Sequence, residues 1–219
     1  MRKLHQLIIV LVALTFSSVS YAEMKFGVSA ALTNIEASGT ETEGGEKNSK
    51  EVSNTAVVPS IFAEIPISDG VSIGLDLIPL SADVSDKTHS RTDTETSVSG
   101  TATTTSTSRT QKAAAELSNH LTLYANVMMG DSLYLKGGVA HVTLETNESL
   151  GTGSKYADED VMGYVIGFGL GSGPLRTELL YTDYEDISIT SSVARTDVTT
   201  NNKIEADLDT LALRVSYAF

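Results

Sequence analysis

Seven charged residues stand inside otherwise apolar, alternating stretches: Glu64, Asp76, Glu116, Lys136, Arg176, Glu178 and Arg214. On one face of a sheet they could do either of two things. They could ring a pore and select among ions, or they could pair with one another and fill a narrow interior, where unpaired charge is strongly disfavoured. Glu64, Asp76 and Glu178 balance Lys136, Arg176 and Arg214, so a pairing network that plugs the interior is preferred to a selectivity ring. Glu178–Arg214 is the pair expected on neighbouring strands.

A second chemistry needs histidine. His89 lies in a Ser/Thr-rich segment, and His120 and His141 lie on alternating stretches. A His–X–Ser pair on one strand would suggest a lipid-directed hydrolase, with the imidazole as base for a nucleophile. Here Thr122 and Thr143 hold that spacing, a weaker nucleophile with no third group in view, so catalysis is not expected. A convergent histidine, hydroxyl and acid at the outer rim would reverse that. Asp158, Glu159 and Asp160 form one acidic cluster, and Asp183, Glu185 and Asp186 another. Carboxylates suit calcium, but no calcium-loop spacing is present. A solvated acidic rim is expected, with no dedicated metal and no cofactor; divalent cations would ease such a rim beside anionic lipopolysaccharide. GFGLGSG, from Gly167 to Gly173, lacks the helix that a phosphate-cradling loop requires, since LRTELLYTDY follows.

The elements that must position these groups are strands. In LALRVSYAF, Leu211, Leu213, Val215, Tyr217 and Phe219 share one face, and Ala212, Arg214, Ser216 and Ala218 the other. MKFGVSAALTNIE alternates likewise from Phe26, as do segments at 55–65, 71–80, 116–128, 133–144, 161–170 and 175–184. Eight strands of this length suit a tilted crossing of a membrane, which takes about 9 to 11 residues. Short connections at 66–70, 129–132 and 171–174 alternate with long ones near 37–54, 81–115, 145–160 and 185–209. That alternation predicts an all-β, eight-stranded antiparallel up-and-down transmembrane barrel. The last strand must pair with the first, because lipid tolerates no free edge. The even count places both termini on the short-turn, periplasmic side. Phe26, Tyr217 and Phe219 suit an aromatic girdle there.

From Ala82 to Lys112, 16 of 31 residues are Ser or Thr. A solvated segment is expected, with a β-hairpin as the alternative because Thr favours strands. A lipocalin-like barrel is the main rival fold. It is disfavoured because the charges fall opposite the apolar face, a pattern that also excludes a greasy ligand pocket.

The first 22 residues, with Arg2 and Lys3 ahead of LIIVLVALTF and SSVSYA, read as a cleaved secretory signal peptide; residues 23–219 form the barrel. The mature segment carries 13 basic and 28 acidic residues, a net of −15, and no cysteine. That balance excludes nucleic acid as a partner. RTELLYTDYEDI and LALRVSYAF resemble the small eight-stranded OmpA-like and opacity-type outer-membrane barrels. The resemblance implies a non-enzymatic outer-membrane protein of a Gram-negative bacterium, acting in envelope structure, adhesion or surface interaction through acidic loops that meet an extracellular ligand. It further implies contact with outer-membrane lipids and lipopolysaccharide, and delivery by the barrel-assembly machinery, which would read Leu213, Val215, Tyr217 and Phe219. A narrow pore for ions or small solutes is the alternative, and a membrane-embedded lipid hydrolase the third reading.

Overall fold

Period-two alternation carries the backbone through strand after strand in a computed structural model that describes residues 24–43, 46–85, 88–99, 103–149, 155–171, 173–192 and 201–219. The signal-peptide assignment falls outside these residues. The strands are β1 (Lys25–Glu43), β2 (Glu46–Ser68), β3 (Val71–Ile78), β4 (Ala82–Asp83), β5 (His89–Ser99), β6 (Thr103–Met128), β7 (Leu133–Ser149), β8 (Glu159–Leu170), β9 (Leu175–Tyr184), β10 (Ile187–Thr190) and β11 (Lys203–Ala218). Eight of them close a ring, β1-β2-β3-β6-β7-β8-β9-β11, and β11 pairs back to β1 from Gly27↔Ala218 to Thr42↔Lys203. β4 and β5 continue the line of β3 along β6, and β10 continues that of β9 along β11. From the short turns up to Ile61↔Leu77 every strand of the ring is paired on both sides, the condition for a sheet in hydrocarbon.

Several strands outrun the sequence expectation. β1 has 19 residues, β2 has 23 and β6 has 26, against the roughly 10 that a crossing needs. The supposed loop at 37–54 is a hairpin continuing to Glu43↔Glu46. In the Ser/Thr-rich segment, the backbone of His89–Ser99 pairs with that of Thr103–Ala113. The backbone therefore follows the hairpin alternative, in keeping with the β-preference of Thr. At the opposite end the connections are short. The β2–β3 turn is Asp69-Gly70, with Gly70 at φ 77°, the left-handed conformation a two-residue hairpin turn demands.

Outside, the belt is apolar: Val57 is 72% exposed, Ile166 66% and Tyr164 65%. Phe26, Tyr217 and Phe219 are exposed at the short-turn end, and the Tyr217 and Phe219 rings meet edge to face at 5.5 Å. At the other edge of the belt, carboxylates line up by register: Glu36 faces Asp209, and Asp209 faces Asp183.

Glu116 requires a correction. Simple alternation puts it inside with His120 and Thr122. Between Ser118 and Leu121, however, the β6–β7 register shifts, and Asn119 adopts φ 51°. This β-bulge inverts the faces above it. Leu117 turns into the buried core, while Glu116 faces outward, in register with Asp83 and Glu145. Because only Gly and Asn adopt the left-handed region cheaply, Asn119→Ala is expected to cost about 1 kcal/mol and Asn119→Gly much less. Denaturant unfolding of both variants checks this; equal costs would remove the backbone explanation.

Candidate functional site

The lumen near the short-turn end is built from a repeated three-strand unit. On one side Tyr134 of β7 lies across Gly169 of β8 and reaches Glu178 of β9, its hydroxyl donating to Oε1 at 2.8 Å. On the other, Tyr124 of β6 lies across Gly74 of β3 towards Glu64 of β2, with its hydroxyl 3.4 Å from Oε2. A Cβ on Gly169 or Gly74 would stand 2.2 Å from the ring it underlies. Glycine is therefore what lets each ring lie flat against the wall. Aromatic rings occupy the space that these two glycines leave. The cations lie above the rings, Lys136 Nζ 3.9 Å from the Tyr124 centroid and Arg176 Cζ 5.9 Å from that of Tyr134, close enough for cation–π attraction.

Six of the seven predicted charges meet here. Lys136 Nζ is 2.6 Å from Glu178 Oε1, and Arg176 Nη1 donates to Glu64 Oε2 at 2.9 Å. Arg214 joins two carboxylates. Nη1 donates to Asp76 Oδ2 at 2.5 Å, and Nε lies 2.6 Å from Glu178 Oε2 in an ionic contact rather than an aligned hydrogen bond. Arg214 and Glu178 are direct register partners, whereas Asp76–Arg214 and Glu64–Arg176 tie opposite walls of the ring. Neutral donors complete the carboxylates: Ser72 and Asn126 on Glu64, Ser60 on Asp76. Glu178 is 2% exposed and Lys136 3%. These groups form a buried floor in the lower lumen, three acidic side chains against three basic ones.

Above the floor the wall changes character. His120 Nε2 and the Tyr184 hydroxyl are 3.0 Å apart, beside a cavity of about 100 Å³ that Asp76, Lys136 and Arg214 border from below. Next comes a packed apolar layer including Ile35, Leu117, Val142, Tyr184 and Leu208. Beyond it a chamber of about 560 Å³ opens at the long-strand end, walled by Val52, Val84, Leu144, Ile189, Ile204 and Leu208 among others. Tyr156 folds in beside it, its hydroxyl donating to Glu41 at 3.0 Å and its backbone N–H to Glu148 at 2.8 Å. The expectation that lumenal charge excludes a greasy pocket is thus overturned. Charge occupies only the lower lumen, and on the same inward positions higher up β7 offers Val142 and Leu144.

The other predicted groups lie apart from this stack. His89's side chain falls outside the described residues. His120 contacts Tyr184, and Thr122 is buried in the lumen wall. His141, Thr143 and Asp160 do meet on the outward face: Thr143 Oγ1 donates to Asp160 Oδ1 at 2.9 Å, and His141 Nε2 is 3.6 Å from the same oxygen. Both side chains face the carboxylate rather than each other, so His141 is not in contact with the Thr143 hydroxyl, the contact nucleophilic catalysis requires. Thr146 N–H donates to Asp158 at 3.1 Å. Among the described residues, no three histidine, cysteine or carboxylate side chains converge on a metal site.

No family model matches the chain, and no curated protein does. Solved structures do. OprG, an outer-membrane protein of Pseudomonas aeruginosa, shares 13% identity over 89% of this chain and 95% of its own, with a TM-score of 0.50. The fold is that of an outer-membrane β-barrel. The outer-membrane protease OmpT of Escherichia coli (10% identity, 92% and 99% coverage, TM-score 0.46) and a Neisserial surface protein, NspA (13%, 89% and 97%, 0.40), also match. The barrel fold by itself leaves the activity to be argued from the site.

Proposed function

We propose that this is a non-enzymatic integral barrel of the outer membrane, ion-tight at its floor, whose outer mouth binds small apolar molecules. Its short turns and both termini lie in the periplasm, and its long strands carry acidic rims outward among lipopolysaccharide. The observation that carries the reading is the change along the lumen from a paired floor to an apolar chamber. At about 560 Å³ the chamber falls within the roughly 300–1,000 Å³ of small-molecule sites. Burial of apolar surface supplies the attraction, at about 25 cal/mol per Å². Loop-mediated adhesion and assembly through the Leu213–Phe219 face accompany this reading. They draw on the family resemblance and the outward rims.

The chain has no tryptophan, which makes a direct test available. Ile189→Trp places a lone fluorophore in the chamber wall. A short bromoalkane, which quenches on contact, is expected to quench it saturably in nanodiscs. An outward-facing Leu213→Trp control should instead show linear quenching from the lipid. Linear quenching at both sites would overturn the binding reading. In a planar bilayer the refolded barrel is expected to stay silent; sustained, reproducible steps would move the assignment to the narrow-pore alternative.

A further inference from the structure

We propose that the chamber holds its ligand by a cationic head, so that the class it prefers is a primary alkylamine; the inference rests on the binding reading above and names the ligand of that same site. The chamber is not apolar throughout. Towards the mouth the inward series on β7 runs Leu144, Thr146, Glu148, and that along β11 runs Leu208, Ala206, Ile204 and then Asn202. Apolar depth thus gives way to a polar rim on the same face. The charged groups of the lining are Glu41, Glu148 and Asp207 against Lys50, and Lys50 is exposed. A rim of that sign draws in a cation and opposes an anionic head.

Two acceptors in this rim have nothing to accept. Glu148 Oε2 and Asn202 Oδ1 are shut off from solvent and, among the described residues, have no hydrogen-bond partner. Leaving a buried carboxylate oxygen unpaired is costly, and buried polar groups are paired almost throughout folded proteins. Both residues are held in place by their other atoms. Glu148 Oε1 accepts from Tyr156 N–H at 2.8 Å, which orients the carboxylate. Asn202 is tied to Ser191 twice: Ser191 N–H donates to its carbonyl at 2.8 Å, and its own N–H donates to Ser191 Oγ at 3.0 Å. The neighbouring residues complete the link. Ser192 N–H donates to the Lys155 carbonyl at 2.8 Å, and Lys155 N–H to Ser192 Oγ at 3.1 Å. The two acceptors therefore stand on one side of the mouth, fixed through the Lys155–Tyr156 segment between them. A primary ammonium carries three donors on one atom, enough for one to each acceptor, and its bond to a carboxylate is about twice as strong as a neutral one. A hydroxyl brings one donor and no charge, and a carboxylate brings no donor and the wrong charge. With the head at the rim, the alkyl chain lies in the depth against Leu144, Ile204 and Leu208.

Displacement of the bromoalkane tests the head group. In nanodiscs carrying the full Ile189→Trp barrel, octylamine, octanol and octanoate each compete for the chamber, with their concentrations corrected for uptake by empty nanodiscs. Octylamine is expected to relieve the quenching at about one-tenth of the concentration that octanol needs, the factor that one hydrogen bond to a charged group supplies. Octanoate should be the weakest of the three. Glu148→Gln in the same reporter keeps an acceptor for Tyr156 N–H but removes the charge, and there the advantage of octylamine over octanol should disappear. Equal displacement by amine and alcohol in the parent reporter would overturn the inference, as would an advantage that survives Glu148→Gln. Saturable bromoalkane quenching without any preference for the amine means that only the head-group assignment fails. If the parent reporter shows no saturable quenching at all, the binding reading has failed and this inference with it.

Discussion

Glu178→Ala is expected to be the most damaging single change in the barrel, lowering unfolding stability by about 3–5 kcal/mol and opening a leak in a silent lumen. Glu178 is the shared partner of Lys136, Arg214 and the Tyr134 hydroxyl. Removing it strands an ammonium and a guanidinium in a narrow interior, where each was only 3% and 7% exposed. Arg214 keeps Asp76, but Lys136 loses its sole ion pair among the described residues. The uncompensated positive charge should make any resulting conductance anion-preferring, since rings of basic side chains favour anions. Glu178→Gln retains the volume and an acceptor for Tyr134 but not the charge, so it should fall between. Adding Lys136→Met to Glu178→Ala removes half the stranded charge and should recover part of the loss. Guanidinium unfolding in detergent and planar-bilayer recording read the two effects. A Glu178→Ala barrel as stable and silent as the parent would mean that the floor does not depend on this carboxylate.

The closed ring, the inward charges and the partnership of Arg214 with Glu178 could all be read from alternation, because a period of two fixes which residues share a face. Two features could not, and a third was readable but overlooked. The bulge at Asn119 inserts a residue into one strand, and every inward assignment above it inverts; Glu116 was misplaced for that reason alone. Nothing in a single chain except an Asn amid polar residues hinted at it. The strand ends were also hidden, because Ser and Thr serve solvated loops and solvated hairpins equally well. The apolar chamber is the instructive miss. On β7 the inward series Lys136, Gly138, Ala140, Val142, Leu144 changes from charged to apolar along one face, and the change was visible in the sequence. Taking the charges as typical of the whole inner face concealed it.

Gly169→Ala, the addition of one methyl group, is expected to cost about 1–3 kcal/mol, the range for overpacking a filled interior. The new Cβ would stand 2.2 Å from Tyr134 Cζ and 2.4 Å from its oxygen. In a flexible exposed side chain such a collision would be relieved by rotation. Tyr134 is 2% exposed, with Arg176 against its ring and its hydroxyl bonded to Glu178. Lifting the ring therefore breaks that hydrogen bond and disturbs the carboxylate that Lys136 and Arg214 share. Gly137→Ala is the matched control, since its added Cβ would meet only the Val165 carbonyl, at 4.0 Å. It should be neutral or slightly stabilising, because alanine restricts the unfolded chain. The decisive measurement is a double-mutant cycle with Tyr134→Ser. Once the ring is gone the methyl has space, so the Gly169→Ala cost should largely vanish and the coupling energy should approach the whole single-variant effect. If Gly169→Ala costs the same with and without the ring, glycine is required there for the backbone and not for the aromatic, and the repeated tyrosine–glycine–glutamate unit loses its role in building the floor.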